Sequence, residues 1–139
     1  IRLLAHGLRP PVLDTLGLNK TLDGLCSDFA HRTQLDVQYK GVTLPDLPDP
    51  VAISFYRFLQ EALTNAAKHA NAQHIQVTLS YTDLTQQTCL TVADDGEGIT
   101  APEGVGLAGM QERFELLGGK VIIETQPGQG TRLTACTTA

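Results

Sequence analysis

Two pairs of short alternating runs, each pair joined by a polar turn, limit what this chain can fold into. Ile75, Val77 and Leu79 alternate with polar residues over His74–Tyr81. Cys89, Thr91 and Ala93 alternate with Leu90 and Val92 over Thr88–Ala93, and the polar link Asp83–Gln87 suits a hairpin. Val121–Thr125 and Thr131–Cys136 repeat the arrangement around Pro127-Gly128-Gln129-Gly130. Leu35–Val42 adds a fifth run, with Leu35, Val37 and Tyr39 alternating with polar residues. Helical patterns separate the runs. Thr21 to Thr33 carries Leu22, Leu25, Cys26 and Phe29 on one side. A helix capped by Asp49, with Pro50 in its first turn, should reach Ala70. A shorter one ends at Leu117, with Leu107, Met110, Phe114 and Leu117 on its apolar side and Gly118-Gly119 as its stop. Strands joined by short turns pair antiparallel. The fold class expected is therefore α+β: a two-layer sandwich, with a mixed but mainly antiparallel sheet and helices on one face. Its 139 residues suit one domain.

Charge and cysteines narrow the function classes. The net charge of −5 comes without clustered Lys and Arg, which argues against direct nucleic-acid binding. Phosphate ligands stay open, because Gly-rich backbone and a bound cation hold phosphates without a basic surface. No apolar stretch approaches the roughly 18 residues of a membrane span, and no signal-peptide pattern is present. The chain begins at Ile1, so a fragment is expected, and an upstream membrane anchor of the parent would not be visible in it. Cys26, Cys89 and Cys136 are odd in number, far apart and lack metal-site spacing. They are expected as buried free thiols in a reducing cytoplasm.

The helix over Phe55–Ala70 carries two stripes. At about 100° per residue, Phe55, Leu59, Ala62, Leu63 and Ala66 share one arc and should face the core. Glu61, Asn65 and Lys68 fall together beside them. Taken alone, such a polar stripe is ordinarily a solvated helix face. Yet Asn65 offers a neutral oxygen to a hard cation such as Mg²⁺, Lys68 can meet a phosphate as a point charge, and Glu61 can orient a metal-bound water.

Three glycine-rich segments follow. Asp94-Asp95-Gly96-Glu97-Gly98-Ile99 ends a strand, where a carboxylate can accept a hydrogen bond from an exocyclic amine and glycines let backbone approach a flat ring. Gly104-Val105-Gly106-Leu107-Ala108-Gly109 opens a helix, whose unpaired N–H groups attract phosphate. With Glu124 it imitates a dinucleotide-binding fingerprint. Thr100-Ala101-Pro102-Glu103 is not the strand that fingerprint requires, and too little chain follows Glu124 for the rest of its sheet. Gly128-Gln129-Gly130-Thr131 is the third segment; alone, it needs no ligand.

Order and spacing make these signals specific together. Phe58–Ala70 resembles the N box of bacterial two-component sensor histidine kinases, and Asp94–Gly98 resembles their first glycine box. Gly104–Arg113 with Leu117-Gly118-Gly119 is similar to the second box of the nitrate-sensor and desaturase-sensor branch, and Pro127–Thr131 to the third. Leu8–Leu18 resembles the junction between that branch's dimerisation helix and its catalytic domain. The resemblance implies residues 1–18 as the end of a dimerisation helix and linker, with residues 19–139 as the ATP-binding catalytic domain. It implies the two-layer Bergerat-type ATP-binding fold shared with gyrase, a heat-shock chaperone and mismatch-repair ATPases. Asn65 would hold Mg²⁺ between phosphates, with Lys68 and His69 nearby. Glu61 would organise metal water or act as a base. Asp94 would accept the adenine amino group, supported by Thr131, and Gly96 and Gly98 would shape the base pocket. Gly104 and Gly106 would hinge a short lid, and Leu107 would start the helix beneath it.

His6, followed by Gly7, Leu8 and Arg9, does not match the acceptor histidine's context; nor do His31, His69 and His74. The function implied is binding of Mg·ATP and donation of the γ-phosphate to a histidine on a separate dimerisation helix. The partners implied are that helix, a homodimeric parent, and a response regulator, often a DNA-binding transcription factor. Two rivals are a serine kinase of the anti-sigma-factor type, disfavoured by the Leu8–Leu18 junction, and a nucleotide-responsive docking module without catalysis, disfavoured by the intact boxes.

Overall fold

A computed structural model describes residues 11–44, 47–68, 72–97, 105–126 and 129–138. Along the chain run α1 (Pro11–Thr33), β1 (Asp36–Lys40), α2 (Asp49–Lys68), β2 (His74–Thr82), β3 (Gln87–Asp94), α3 (Val105–Leu116), β4 (Lys120–Gln126) and β5 (Gly130–Thr138). The sheet order is β1-β2-β3-β5-β4. β1 lies parallel to β2, and every other pair is antiparallel. The expected α+β sandwich is what forms.

Period-2 alternation decides which face of the sheet is covered. Register aligns Val77 with Val92 and Leu79 with Leu90, and then Val92 with Leu133 and Leu90 with Ala135. These residues are all buried in one core with α1, α2 and α3. His74, Gln76 and Ser80 point the other way and are exposed. Within the core, α3 inserts Phe114 between two aromatics of α2: Phe55 at 5.2 Å and Phe58 at 6.0 Å, both edge-on. Such edge-to-face pairs add about 0.5–1.5 kcal/mol each beyond their buried area.

Helix boundaries follow local chemistry. The carbonyl of Pro48 accepts from Val51 and Ala52 N–H at 3.0 and 3.1 Å. The cap of α2 thus sits one residue before the expected Asp49, whose carboxylate instead joins the first turn. α3 ends in a Schellman motif. Gly119 N–H donates to Phe114 O at 2.7 Å and Gly118 N–H to Glu115 O at 3.0 Å, with Gly118 at φ 80.

Two expectations change. The helix expected from Thr21 is already present over residues 11–20. A break falls at Gly17, at φ 78 and ψ 169. Second, Cys89 and Cys136 are not free thiols. They stand directly opposite each other on β3 and β5 and form a disulfide. Their partnership is a matter of sheet register across 47 residues, which spacing along the chain does not reveal. Cys26 is free and buried as expected, and burial, with Asp23 nearby, pushes its thiol up to about 12. Among the described residues no helix is long and apolar enough to cross a membrane.

Candidate active site

The chain leaving α2 is bonded both to the end of that helix and to the end of β3. Ala72 N–H donates to Ala66 O at 3.0 Å, folding the chain back as it leaves the helix. The Asp95 carboxylate then accepts from Gln73 and His74 N–H, both at 2.9 Å, and meets His74 Nδ1 at 2.6 Å. Asp95 N–H returns to His74 O at 3.2 Å. Asn65 precedes Ala66 and Asp94 precedes Asp95, so this stitching brings the two ends that carry them together.

Within the expected polar stripe of α2, exposure is graded. Asn65 is only 3% exposed, Glu61 is half-buried, and Lys68 is exposed at the helix end. Asn65 Nδ2 is buried without a hydrogen-bond partner. Leaving one such group unpaired costs about 1–3 kcal/mol. Since the two ends of an amide exchange by a flip, Asn65 keeps one buried polar atom unmet in either orientation. The expected core arc holds: Phe55, Leu59, Ala62, Leu63 and Ala66 are buried, and Phe58 joins them at 0% exposed.

Asp94 shares its strand face with Leu90 and Val92 and stands opposite Thr131 in register. It is half-buried. Gly96 N–H donates to its Oδ1 at 2.8 Å. Burial raises its pKa above the ordinary carboxylate value, only partly offset by the Gly96 and Thr131 N–H groups. Thr131 is 3% exposed and its hydroxyl lies 3.0 Å from that of Thr125. A cavity of about 600 Å³ opens here, lined by Asp94, Ile123, Thr125, Gly130 and Thr131 among others. Gly130 supports it from behind. At φ 102 its backbone sits so close to Asp94 O that an added Cβ would lie 2.1 Å away.

A second cavity of about 330 Å³ separates α2 from α3 and is lined by Arg57, Glu61, Thr64, Gly109 and Arg113, with Gln60 and Met110. The structure thus brings Asp94, Gly96 and Thr131 to one strand end, and places Glu61 in the groove between α2 and α3. Lys68 lies at the end of α2, and Gly106 and Leu107 lie in the first turn of α3, the Leu107 side chain being outside the described part. His69, Gly98 and Gly104 lie outside the described residues.

Sequence reasoning missed Asp95. Three hydrogen bonds hold its carboxylate, the backbone and side-chain bonds from His74 foremost, and they pull its pKa down to about 2. The Asp-Asp pair at a strand end was the available signal, since alternation sends neighbouring side chains to opposite faces.

Comparison with known proteins follows this geometry. Residues 51–138 match the family model of the histidine kinase-, DNA gyrase B-, and HSP90-like ATPases. Over 140 residues the chain is 36% identical to the signal transduction histidine-protein kinase/phosphatase DegS of Brevibacillus brevis, covering 96% of this chain and 35% of DegS. It is 37% identical over 143 residues to the sensor histidine kinase MctS of Rhizobium johnstonii, covering 97% of this chain and 30% of MctS. It therefore spans about a third of the length of these curated relatives. In fold it resembles the histidine kinase domain of the blue-light activated histidine kinase of Erythrobacter litoralis EL346, with TM-score 0.75, 24% identity and coverage of 87% of this chain and 60% of that one. From its family model and its relatives, the chain belongs to the histidine kinase-, DNA gyrase B-, and HSP90-like ATPase family.

Proposed function

We propose that this domain binds Mg·ATP between α2 and the joined ends of β3 and β5, and presents the γ-phosphate to a histidine on a dimerisation helix of the parent kinase. One observation carries the reading: the buried, unpartnered amide nitrogen of Asn65, on the helix whose following residues bond to Asp95, next to Asp94. The relatives named sensor histidine kinases support the same choice. They also support a homodimeric parent and a response-regulator partner.

Each residue has a distinct task in this proposal. Asp94 accepts the adenine amino group, and its N–H bonds from Gly96 and Thr131 hold the carboxylate in place. Thr131, fixed against Thr125, supports that contact. The neutral side-chain oxygen of Asn65 would suit a hard cation. Bound there, Mg²⁺ supplies charge neutralisation on the phosphates. Lys68 adds positive charge near them, with His69 close by. Glu61 orients metal water and the attacking group. Gly98 shapes the base pocket, while Gly104, Gly106 and Leu107 open and close over the triphosphate. Positioning and charge neutralisation are the main requirements of phosphoryl transfer.

Residues 1–18 are proposed as the end of the dimerisation helix and its linker. The kink at Gly17 supports a boundary there.

Calorimetry with ATP, with and without Mg²⁺, tests the site. Asn65→Ala should lose most of the Mg²⁺-dependent gain, and Asp94→Ala should weaken ATP and ADP alike. Unchanged affinity in both variants defeats the assignment. Mixing the domain with a histidine-bearing helical fragment and labelled ATP tests the reaction, and label on serine instead of histidine would refute it.

A further inference from the structure

The groove between α2 and α3 holds two arginines that the proposed site does not use. Arg57 is half-buried on α2 and Arg113 is exposed on α3, and both line the same cavity of about 330 Å³ with Glu61. Among the described residues, neither guanidinium makes an ion pair or hydrogen bond. Arg57 and Glu61 stand at i and i+4 on one helix, yet they do not close into a salt bridge. Arginine N-terminal to glutamate is the weaker orientation for such a pair. The groove thus keeps two cations and one anion, a net positive charge in a chain whose total is −5.

We infer that Arg57 and Arg113 receive the terminal phosphate of the bound nucleotide. The inference rests on the Mg·ATP reading above. Three features favour phosphate. Arg57, Glu61 and Asn65 occupy successive turns of α2, so the groove continues the line of the site. At 1.5 Å per residue Arg57 lies about 12 Å along the axis from Asn65, a span that a triphosphate leaving Asn65 and an extended arginine together cover. The geometry of guanidinium matches phosphate oxygens in a two-pronged way that an ammonium does not. Gly109, whose absent side chain meets nothing within 4 Å, leaves the α3 wall of the groove low. Two guanidiniums from different helices also make the contact sensitive to how α3 sits against α2. Only a nucleotide with a third phosphate would reach both.

The test is calorimetry of the domain with Mg·ATP and Mg·ADP, for the wild type, Arg57→Gln, Arg113→Gln and Arg57→Lys. Thermal melts of each variant establish that it is folded. Each Gln variant should weaken ATP binding about tenfold, the scale of one charge-assisted hydrogen bond, and leave ADP binding within about twofold. Arg57→Lys should fall between. Equal losses for ATP and ADP, or unchanged ATP affinity, overturn the inference. So does unchanged ATP affinity with slower transfer to a histidine-bearing helix, which would give the groove to the incoming segment instead. A wild type that binds neither nucleotide overturns the Mg·ATP reading and this inference with it, whereas firm ADP binding with flat ATP results sinks this inference alone.

Discussion

Asp94 and Asp95 are chain neighbours with opposite electrostatics, and pH separates them. Asp95 is held down to about 2 by the N–H groups of His74 and Gln73 and by the His74 ring. His74 is raised above its ordinary 6.5, first by its hydrogen bond to Asp95. The signs of these shifts bracket a window of stability. The Asp95 contribution is present above its ordinary 3.8 and lost as pH falls through about 2. That of His74 is full below 6.5 and lost as pH rises through its raised value. Melting temperature should therefore decline on the alkaline side in the wild type, and His74→Gln should remove that decline. Parallel melting curves for the two proteins between about pH 6 and pH 9 would exclude the linkage. Asp94 behaves differently. Its pKa is raised by burial, so the free domain gives up stability as pH rises through that value. An adenine donating to the ionised carboxylate, as proposed, would restore it. ATP affinity should fall as pH is lowered through the raised value, while Asp94→Asn binds weakly at every pH. A wild-type affinity flat across that range would show that Asp94 does not meet the base.

At the level of elements, β5 is tied to β3 at both ends by different means. At one end Gly130 lies flush against the Asp94 carbonyl in a conformation that side chains rarely adopt. Gly130→Ala should cost about 1–3 kcal/mol and weaken nucleotide binding further than the stability loss alone explains. Denaturant melts and calorimetry measure the two effects, and a neutral substitution would mean that β5 can step away from Asp94 freely. At the other end is the Cys89–Cys136 disulfide. Closing 47 residues should contribute roughly 2–4 kcal/mol. Cys136→Ser should lower the unfolding free energy of the oxidised protein by that amount and be indifferent to dithiothreitol, which should bring the wild type down to match. Local pattern made β3 and β5 legible as strands, and alternation chose their covered face. Their pairing was not legible, because register depends on residues far apart in sequence. The disulfide and the Gly130–Asp94 contact are both consequences of that register. The wheel of α2 shows the same division. It places Asn65 about 20° from Phe58, so its burial was available in the pattern. The bonds from Gln73 and His74 to Asp95 were not, since they join residues 22 and 21 apart in sequence.

For the whole molecule, a single core decides how the parts respond together. α1, α2, α3 and the covered face of the sheet all contribute to one cluster, so the domain should unfold in one step, as small single domains usually do. Phe114 is the sharpest probe of this unity. It is fully buried, and it is the residue of α3 that reaches both Phe55 and Phe58 of α2. Removing it leaves a cavity between the helix that bears Asn65 and the helix that carries Arg113. Phe114→Ala should cost about 3–5 kcal/mol, and far-ultraviolet and near-ultraviolet melts should shift together. If α3 were only loosely attached, the far-ultraviolet transition would split, with a minor early phase, and the loss of global stability would be small. ATP affinity should also fall more than ADP affinity in this variant at temperatures where it remains folded, because only the third phosphate depends on α2 and α3 keeping their spacing. Coincident melts with both nucleotides weakened equally would place the helix pair outside phosphate recognition and leave Phe114 a purely structural residue.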